Sequence, residues 1–129
     1  MGKFHFSKRS LKNLEGVHPD LIKVMTQSLE ISPIDFAILE GLRSPERQQE
    51  VIARGASWTK NSRHLTGHAV DIGAVIERHI VWALDPYQRL SKIIKKVAQD
   101  LSIPIEWGGD WQKVDAGHYE LTWNAYPLK

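Results

Sequence analysis

Three features of this 129-residue chain predict an α+β fold, a small antiparallel sheet flanked by helices. Apolar stripes at helical spacing dominate its first half. Short runs that alternate apolar and polar residues dominate the second, and two of them lie close enough in sequence to form a hairpin. Helices followed by short strands favour segregated elements over the regular strand–helix alternation that builds a parallel sheet. The length suffices for one hydrophobic core and not for two, so one domain over residues 1–129 is expected.

Ser7 can cap a short helix that runs through Leu14. In HPDLIKVMTQSLEIS, Pro19 sits at a helix start, and Leu21, Met25 and Leu29 recur at four-residue spacing as a core-facing stripe. IDFAILEG reads as a strand ending at Gly41. SPERQQEVIARG reads as a helix with Ser44 as cap, Pro45 at its first position and Gly55 at its end. From His68 to Ile76 apolar residues alternate loosely around Asp71, as in a strand, and ERHIVW supplies a hairpin partner. DPYQRLSKIIKKVAQDLS has the clearest helical period. Leu90, Ile93, Ile94, Val97 and Leu101 follow it, Asp85 precedes Pro86 as the expected cap, and the Lys-rich outer face suits solvent. IPIEW and HYELTW read as the last strands, separated by GGDWQKVDAG.

Composition narrows the function. Hydrophobic residues make up 42% and charged residues 25%, the balance of a folded globular protein rather than a disordered chain. No apolar run approaches the roughly 18 residues of a spanning helix, so no stable membrane insertion is expected. The net charge of +2 is spread along the chain, which gives no reason to expect nucleic acid as a partner. MGKFHFSKRS lacks the apolar core of a secretory signal, which leads to the expectation of a cytosolic protein. With no cysteine, thiolate metal sites and cysteine nucleophiles are excluded, and any metal must use His, Asp or Glu.

Chemistry-bearing residues concentrate in SRHLTGHAVD, residues 62–71. If His64 lies on the loop entering the strand that carries Asp71, both side chains can point at one spot, with Gly67 between them where the backbone turns. His118 is the best candidate for a third ligand. It opens the last predicted strand, and the preceding DAG delivers Asp115 three positions upstream. Two histidines and a carboxylate, with a fourth place for water, make the set expected of catalytic zinc. Such a zinc lowers the pKa of its water towards ~7, and an unligated carboxylate such as Asp115 takes the proton as that water attacks a carbonyl. Arg43, at the strand-to-helix turn of GLRSPERQ, suits stabilisation of the developing oxyanion. From spacing alone, a polar loop and a strand-edge histidine remain an alternative reading.

SRHLTGHAVD resembles the signature of the zinc peptidases that include D-alanyl-D-alanine carboxypeptidases and dipeptidases, distant relatives of the amino-terminal domain of hedgehog proteins. EWGGDWQKVDAGHYEL resembles the closing segment of the bacteriophage endolysins in that group, the L-alanyl-D-glutamate peptidases. The resemblance runs from about SLKNLEGVHPDL through GLRSPERQ to GHYEL, nearly the whole chain. It implies a hedgehog/D-Ala-D-Ala peptidase-like fold and a single catalytic peptidase domain. It implies zinc held by His64, Asp71 and His118, Asp115 as catalytic base, and Arg43 steadying the substrate carbonyl. Ser62 and Gln48 match recurrent positions that orient substrate or the arginine. The base is Glu in some relatives, and the shorter Asp115 asks for a closer approach. Some phage relatives carry an acidic calcium-binding insertion before the last histidine; DWQKVDAGH is too short and too poor in acids for one.

The implied activity is cleavage of the L-Ala–D-Glu bond in the peptide stem of peptidoglycan, leading to lysis of the host cell. A D-Ala–D-Ala carboxypeptidase and a non-catalytic hedgehog-like binding module are the alternatives. An endolysin without an export signal would stay in the host cytoplasm until a separate pore-forming protein breached the membrane, and then act on the wall in the periplasm. His68 falls on the opposite side of the strand from Asp71 by alternation and is not expected to ligate. His5, His18 and His79 read as surface or capping residues. Of the five tryptophans, Trp58, Trp82 and Trp123 read as core or cleft wall, whereas Trp107 and Trp111 flank GGD near the site, and Trp111 is the expected substrate contact. Glu120, two beyond His118, shares its strand face and can meet a ligand or the substrate.

Overall fold

The computed structural model describes residues 4–55 and 62–127. Its helices are α1 (Lys8–Asn13), α2 (Pro19–Ile31), α3 (Pro45–Ala53) and α4 (Leu84–Asp100). Its strands are β1 (Asp35–Glu40), β2 (Ala69–Ile76), β3 (His79–Val81), β4 (Ile105–Trp107) and β5 (His118–Leu121). Helices begin where a side chain satisfies amides that have no partner inside the helix. Ser7 Oγ accepts from Ser10 N–H, His18 Nδ1 from Asp20 N–H and Ser44 Oγ from Arg47 N–H. The start of α4 differs from the expected one. Ala83 occupies the cap position without a side-chain bond, and Asp85 lies inside the first turn, paired with Arg89 at 3.0 Å on the exposed surface. Pro86 permits this because a first-turn residue needs no amide proton.

All strand pairings are antiparallel, in the order β1-β2-β5-β4, with β3 also on β2. One side of β2 pairs with β1. The other is shared between β5, which pairs Val70 with Tyr119 and Asp71 with His118, and β3, which pairs Ala74 with Val81. Side chains alternate across a strand, and directly paired residues share a face. Val70, Ile72, Ala74, Tyr119 and Leu121 therefore face the core, where they pack with Leu21, Met25 and Leu29 of α2 and Leu90, Ile94 and Ala98 of α4. Each fully buried leucine or isoleucine of this layer contributes about 1.5–3 kcal/mol by leaving water. Asp71, His118 and Glu120, one position out of phase, share the opposite face. The parity that buries the core thus assembles the polar site on the other side of the sheet.

Two contacts protect the sheet's margins. Ser10 Oγ accepts from Ile38 N–H at 3.0 Å and Asn13 Nδ2 donates to Ile38 O at 2.8 Å, so α1 covers backbone groups of β1 that point away from β2. Tyr87 of α4 donates to Val81 O at 2.7 Å and accepts from Ala74 N–H at 3.1 Å, fixing the β2–β3 hairpin. The turn of that hairpin is Glu77–Arg78, with φ of 52° and 70°. Among the described residues no helix is long and apolar enough to cross a membrane.

Candidate metal centre and catalytic site

His64 is delivered by a 3-10 turn, Arg63–Thr66, between α3 and β2. Ser62 Oγ accepts from His64 N–H at 3.2 Å, and Gly67 ends the turn with φ 75°. A Cβ at Gly67 would lie 2.3 Å from the Gly16 carbonyl oxygen, so this position needs glycine for both backbone conformation and close approach. The His64 ring is buried, and its Nδ1 lies 2.8 Å from Gly41 O. A carbonyl only accepts, so Nδ1 carries the proton and Nε2 presents a lone pair. Gly41 is itself constrained, since a Cβ would sit 2.1 Å from Asn13 O.

Nε2 of His64 approaches Asp71 Oδ1 at 3.2 Å, and His118 Nδ1 approaches the same oxygen at 3.0 Å. The far nitrogen of His118, Nε2, lies 2.7 Å from the buried Glu120 carboxylate. One ligand atom from each of His64, Asp71 and His118 falls within 4.8 Å of the others. His64 Nε2 is buried and makes no hydrogen bond, its approach to Asp71 being short without the right geometry. A buried lone pair facing a carboxylate oxygen is unfavourable unless a proton or cation lies between them. Two imidazole nitrogens, one carboxylate oxygen and a carbonyl or carboxylate behind each ring form a donor set that fits zinc. The three groups are also coupled electrostatically: burial alone would raise the Asp71 pKa, but His64 and His118 hold it well below the usual carboxylate range. Burial alone would lower that of His118, yet Asp71 and Glu120 push it up to about 9.

Arg43 is also buried here. Its Nη1 donates to Gln48 Oε1 and its Nη2 to Glu40 Oε1, both at 2.6 Å, with Asp71 Oδ2 3.6 Å from Nη2. Its nearest carboxylate is therefore Glu40, three residues upstream. Burial would raise the Glu40 pKa, but the hydrogen bond and charge of Arg43 bring it below the ordinary value. Glu40 reaches Asp71 through a bulge in β1: Ile38 pairs with Ile72 and Glu40 with Asp71, leaving Leu39 as the extra residue. Bulges re-aim side chains in this way. Neither Glu40 nor the Gly41 carbonyl carries a sequence signal. Gln48 lies on the arginine, as one of its two expected uses, and Ser62 is engaged with the turn that bears His64.

Asp115 sits on the loop before β5. Its N–H donates to Gly108 O at 2.9 Å, and its carbonyl accepts from His118 N–H at 3.1 Å. The residue is exposed, yet partial burial of its carboxyl and the charge of Asp71 raise its pKa against the opposing pull of His118, His64 and Arg43. Trp107 Nε1 donates to Ala116 O at 2.8 Å, tying the same loop to β4. The Trp111 and His118 ring centroids are 5.0 Å apart. His68 lies outside the metal group, with Nδ1 2.6 Å from Thr66 Oγ1. Trp82 and Trp123 are surface residues, 68% and 41% exposed; β3 is an edge strand, and Trp123 lies under the Arg63 guanidinium at 4.1 Å. Trp58 lies outside the described residues.

The chain is similar to known proteins along nearly its whole length. A family model described as phage L-alanyl-D-glutamate peptidase matches residues 1–126. The L-alanyl-D-glutamate peptidase of Escherichia phage T5 is 35% identical over 127 residues, which span 95% of this chain and 93% of that protein. That of Listeria phage A118 is 33% identical across 98% of this chain, which spans 45% of the relative's length. The crystal structure of the Serratia marcescens L-Ala D-Glu endopeptidase ChiX superposes with a TM-score of 0.90 at 41% identity, over 98% of this chain and 96% of that one.

Proposed function

The chain belongs to the phage L-alanyl-D-glutamate peptidase family, and from that premise we propose that it is a zinc peptidase that cuts the L-Ala–D-Glu bond of the peptidoglycan stem. The observation that carries the reading is the convergence of His64, Asp71 and His118 on one point, with Asp115 and Arg43 beside it. In this proposal His64, Asp71 and His118 would hold zinc, each through one ring nitrogen or carboxylate oxygen. When bound, zinc supplies Lewis acidity, polarising the scissile carbonyl and acidifying a water.

The remaining work falls to side chains. Asp115 takes the proton of the attacking water and passes it to the leaving D-Glu nitrogen; its raised pKa brings it nearer the working range of a general base. Arg43 opposes the charge that develops on the carbonyl oxygen, and Glu40 and Gln48 keep its planar fork in place. Ser62 supports the His64 turn, Gln48 holds the arginine, and Trp111, its ring 5.0 Å from that of His118, is the wall offered to the stem peptide. The L-Ala–D-Glu bond is preferred over D-Ala–D-Ala because the named relatives cut the former. Intact Asp115 and Arg43 favour an enzyme over a hedgehog-like binding module.

Mass analysis of fragments released from purified peptidoglycan tests the choice of bond. Stem peptides beginning with D-Glu, with L-Ala left on the glycan, are the expected product; free D-Ala without clearing of the wall suspension would overturn the assignment. A strong chelator should abolish activity and added Zn²⁺ restore it, and full turnover by metal-free protein would remove zinc from the proposal. Acting on the wall from the host cytoplasm would require a separate pore-forming lysis protein. Expression alone should then leave cells intact until they are permeabilised.

A further inference from the structure

A second groove meets this site. It occupies ≈ 700 Å³ between the end of α4, β4 and the 3-10 turn Gly108–Asp110, and Lys95, Gln99, Pro104, Glu106, Asp110 and Trp111 are among its lining. Trp111 belongs to both places, because its ring also lies 5.0 Å from that of His118. Another groove of similar size, between α2 and α4, shares no residue with the site.

From this continuity, and resting on the peptidase reading above, we infer that the Trp111 groove receives the N-acetylated amino sugar that carries the stem peptide. One residue, L-Ala, separates that sugar from the scissile bond, and consecutive residues are about 3.8 Å apart. The sugar thus falls within reach of a groove whose Trp111 wall lies 5.0 Å from the His118 ring. Charge selects between the two ends of the substrate. Lys95 Nζ is paired with Asp110 Oδ2 at 2.6 Å, so Glu106 leaves the groove with a negative excess. The peptide beyond the bond carries the D-Glu and diamino-acid carboxylates, which that excess disfavours. The glycan next to L-Ala is an amide-bearing sugar whose apolar ring face suits an aromatic wall and whose hydroxyls suit a polar rim.

The test titrates full-length, zinc-loaded, isotope-labelled protein with a peptide-free N-acetylglucosamine–N-acetylmuramic acid disaccharide whose lactyl carboxyl is capped as the methylamide, uncharged as in the wall, and, separately, with the D-Glu–diamino-acid dipeptide. The disaccharide should saturably shift the Trp111 indole and Gln99 amide signals, and Gln99→Trp, a filled groove at an exposed helix position, should remove that response with the rest of the spectrum preserved. In parallel, kcat/KM for a sugar-linked stem should exceed that for the N-acetylated peptide alone by about tenfold, the worth of one good aromatic contact, and the ratio should fall towards one in Gln99→Trp. Shifts produced by the dipeptide and not the disaccharide, or by neither, would overturn the inference. Disaccharide binding without cleavage of any stem would keep the groove assignment and remove the peptidase reading, so the two fail separately.

Discussion

On one flank of the site, Asp71 and His118 stand directly opposite each other on paired strands, and buried Glu120 and Gly41 hold the rings from behind. On the other, Asp115 and Trp111 ride a loop anchored by backbone bonds to Gly108 and the Trp107 indole bond to Ala116, with much of its surface exposed. The contrast matches two demands. On the proposed roles, metal ligands are best fixed before the ion arrives, whereas a base and a substrate wall would meet a large polymer from outside. The strand flank is therefore expected to govern metal binding and the loop flank turnover.

Substitutions on the two flanks can break that division. His118→Ala should have the largest effect, loss of both zinc and activity, measured by metal analysis after dialysis; retained stoichiometric zinc would take His118 out of the ligand set. Asp115→Asn should keep the metal while kcat falls roughly 10²–10⁴-fold, the usual worth of a general base. Zinc loss there, with the fold intact, would move Asp115 onto the ligand flank and erase the contrast. Glu120→Gln retains an acceptor for His118 Nε2 but removes the charge behind it. Competition with a chelator should show zinc affinity lower by about 10–100-fold, the scale seen for such outer partners; an unchanged affinity would reduce Glu120 to packing. Asp85→Ala, on the exposed first turn of α4 far from both flanks in sequence, should change stability by no more than about 0.5 kcal/mol in denaturant unfolding.

Much of the framework was legible because its signals are local. The caps Ser7 and Ser44, the prolines at the starts of α2 and α3 and the stripe Leu90–Ile94–Val97 act within a few residues of one another. Asp85 misled for the same reason: it has the chemistry of a cap, but Pro86 is equally content deeper in the first turn, and the chain around it decided. The Glu77–Arg78 turn offers none of the glycine or asparagine that usually accompanies positive φ. Its hairpin was readable only from the alternating runs on either side.

The identities of His64, Asp71, His118, Asp115 and Arg43 stood out in the sequence because their residue types and order carry the family pattern. Tertiary structure alone decided how they work together. Pairing of β2 with β5 brings Asp71 to His118 across 47 positions, and a bulge turns Glu40 towards Arg43. The Gly41 carbonyl, contributed by a residue with no side chain, selects which nitrogen of His64 is free. A motif records which donors are present, but tautomer, register and the partners of a buried charge depend on groups distant in sequence, and only folding makes those neighbours.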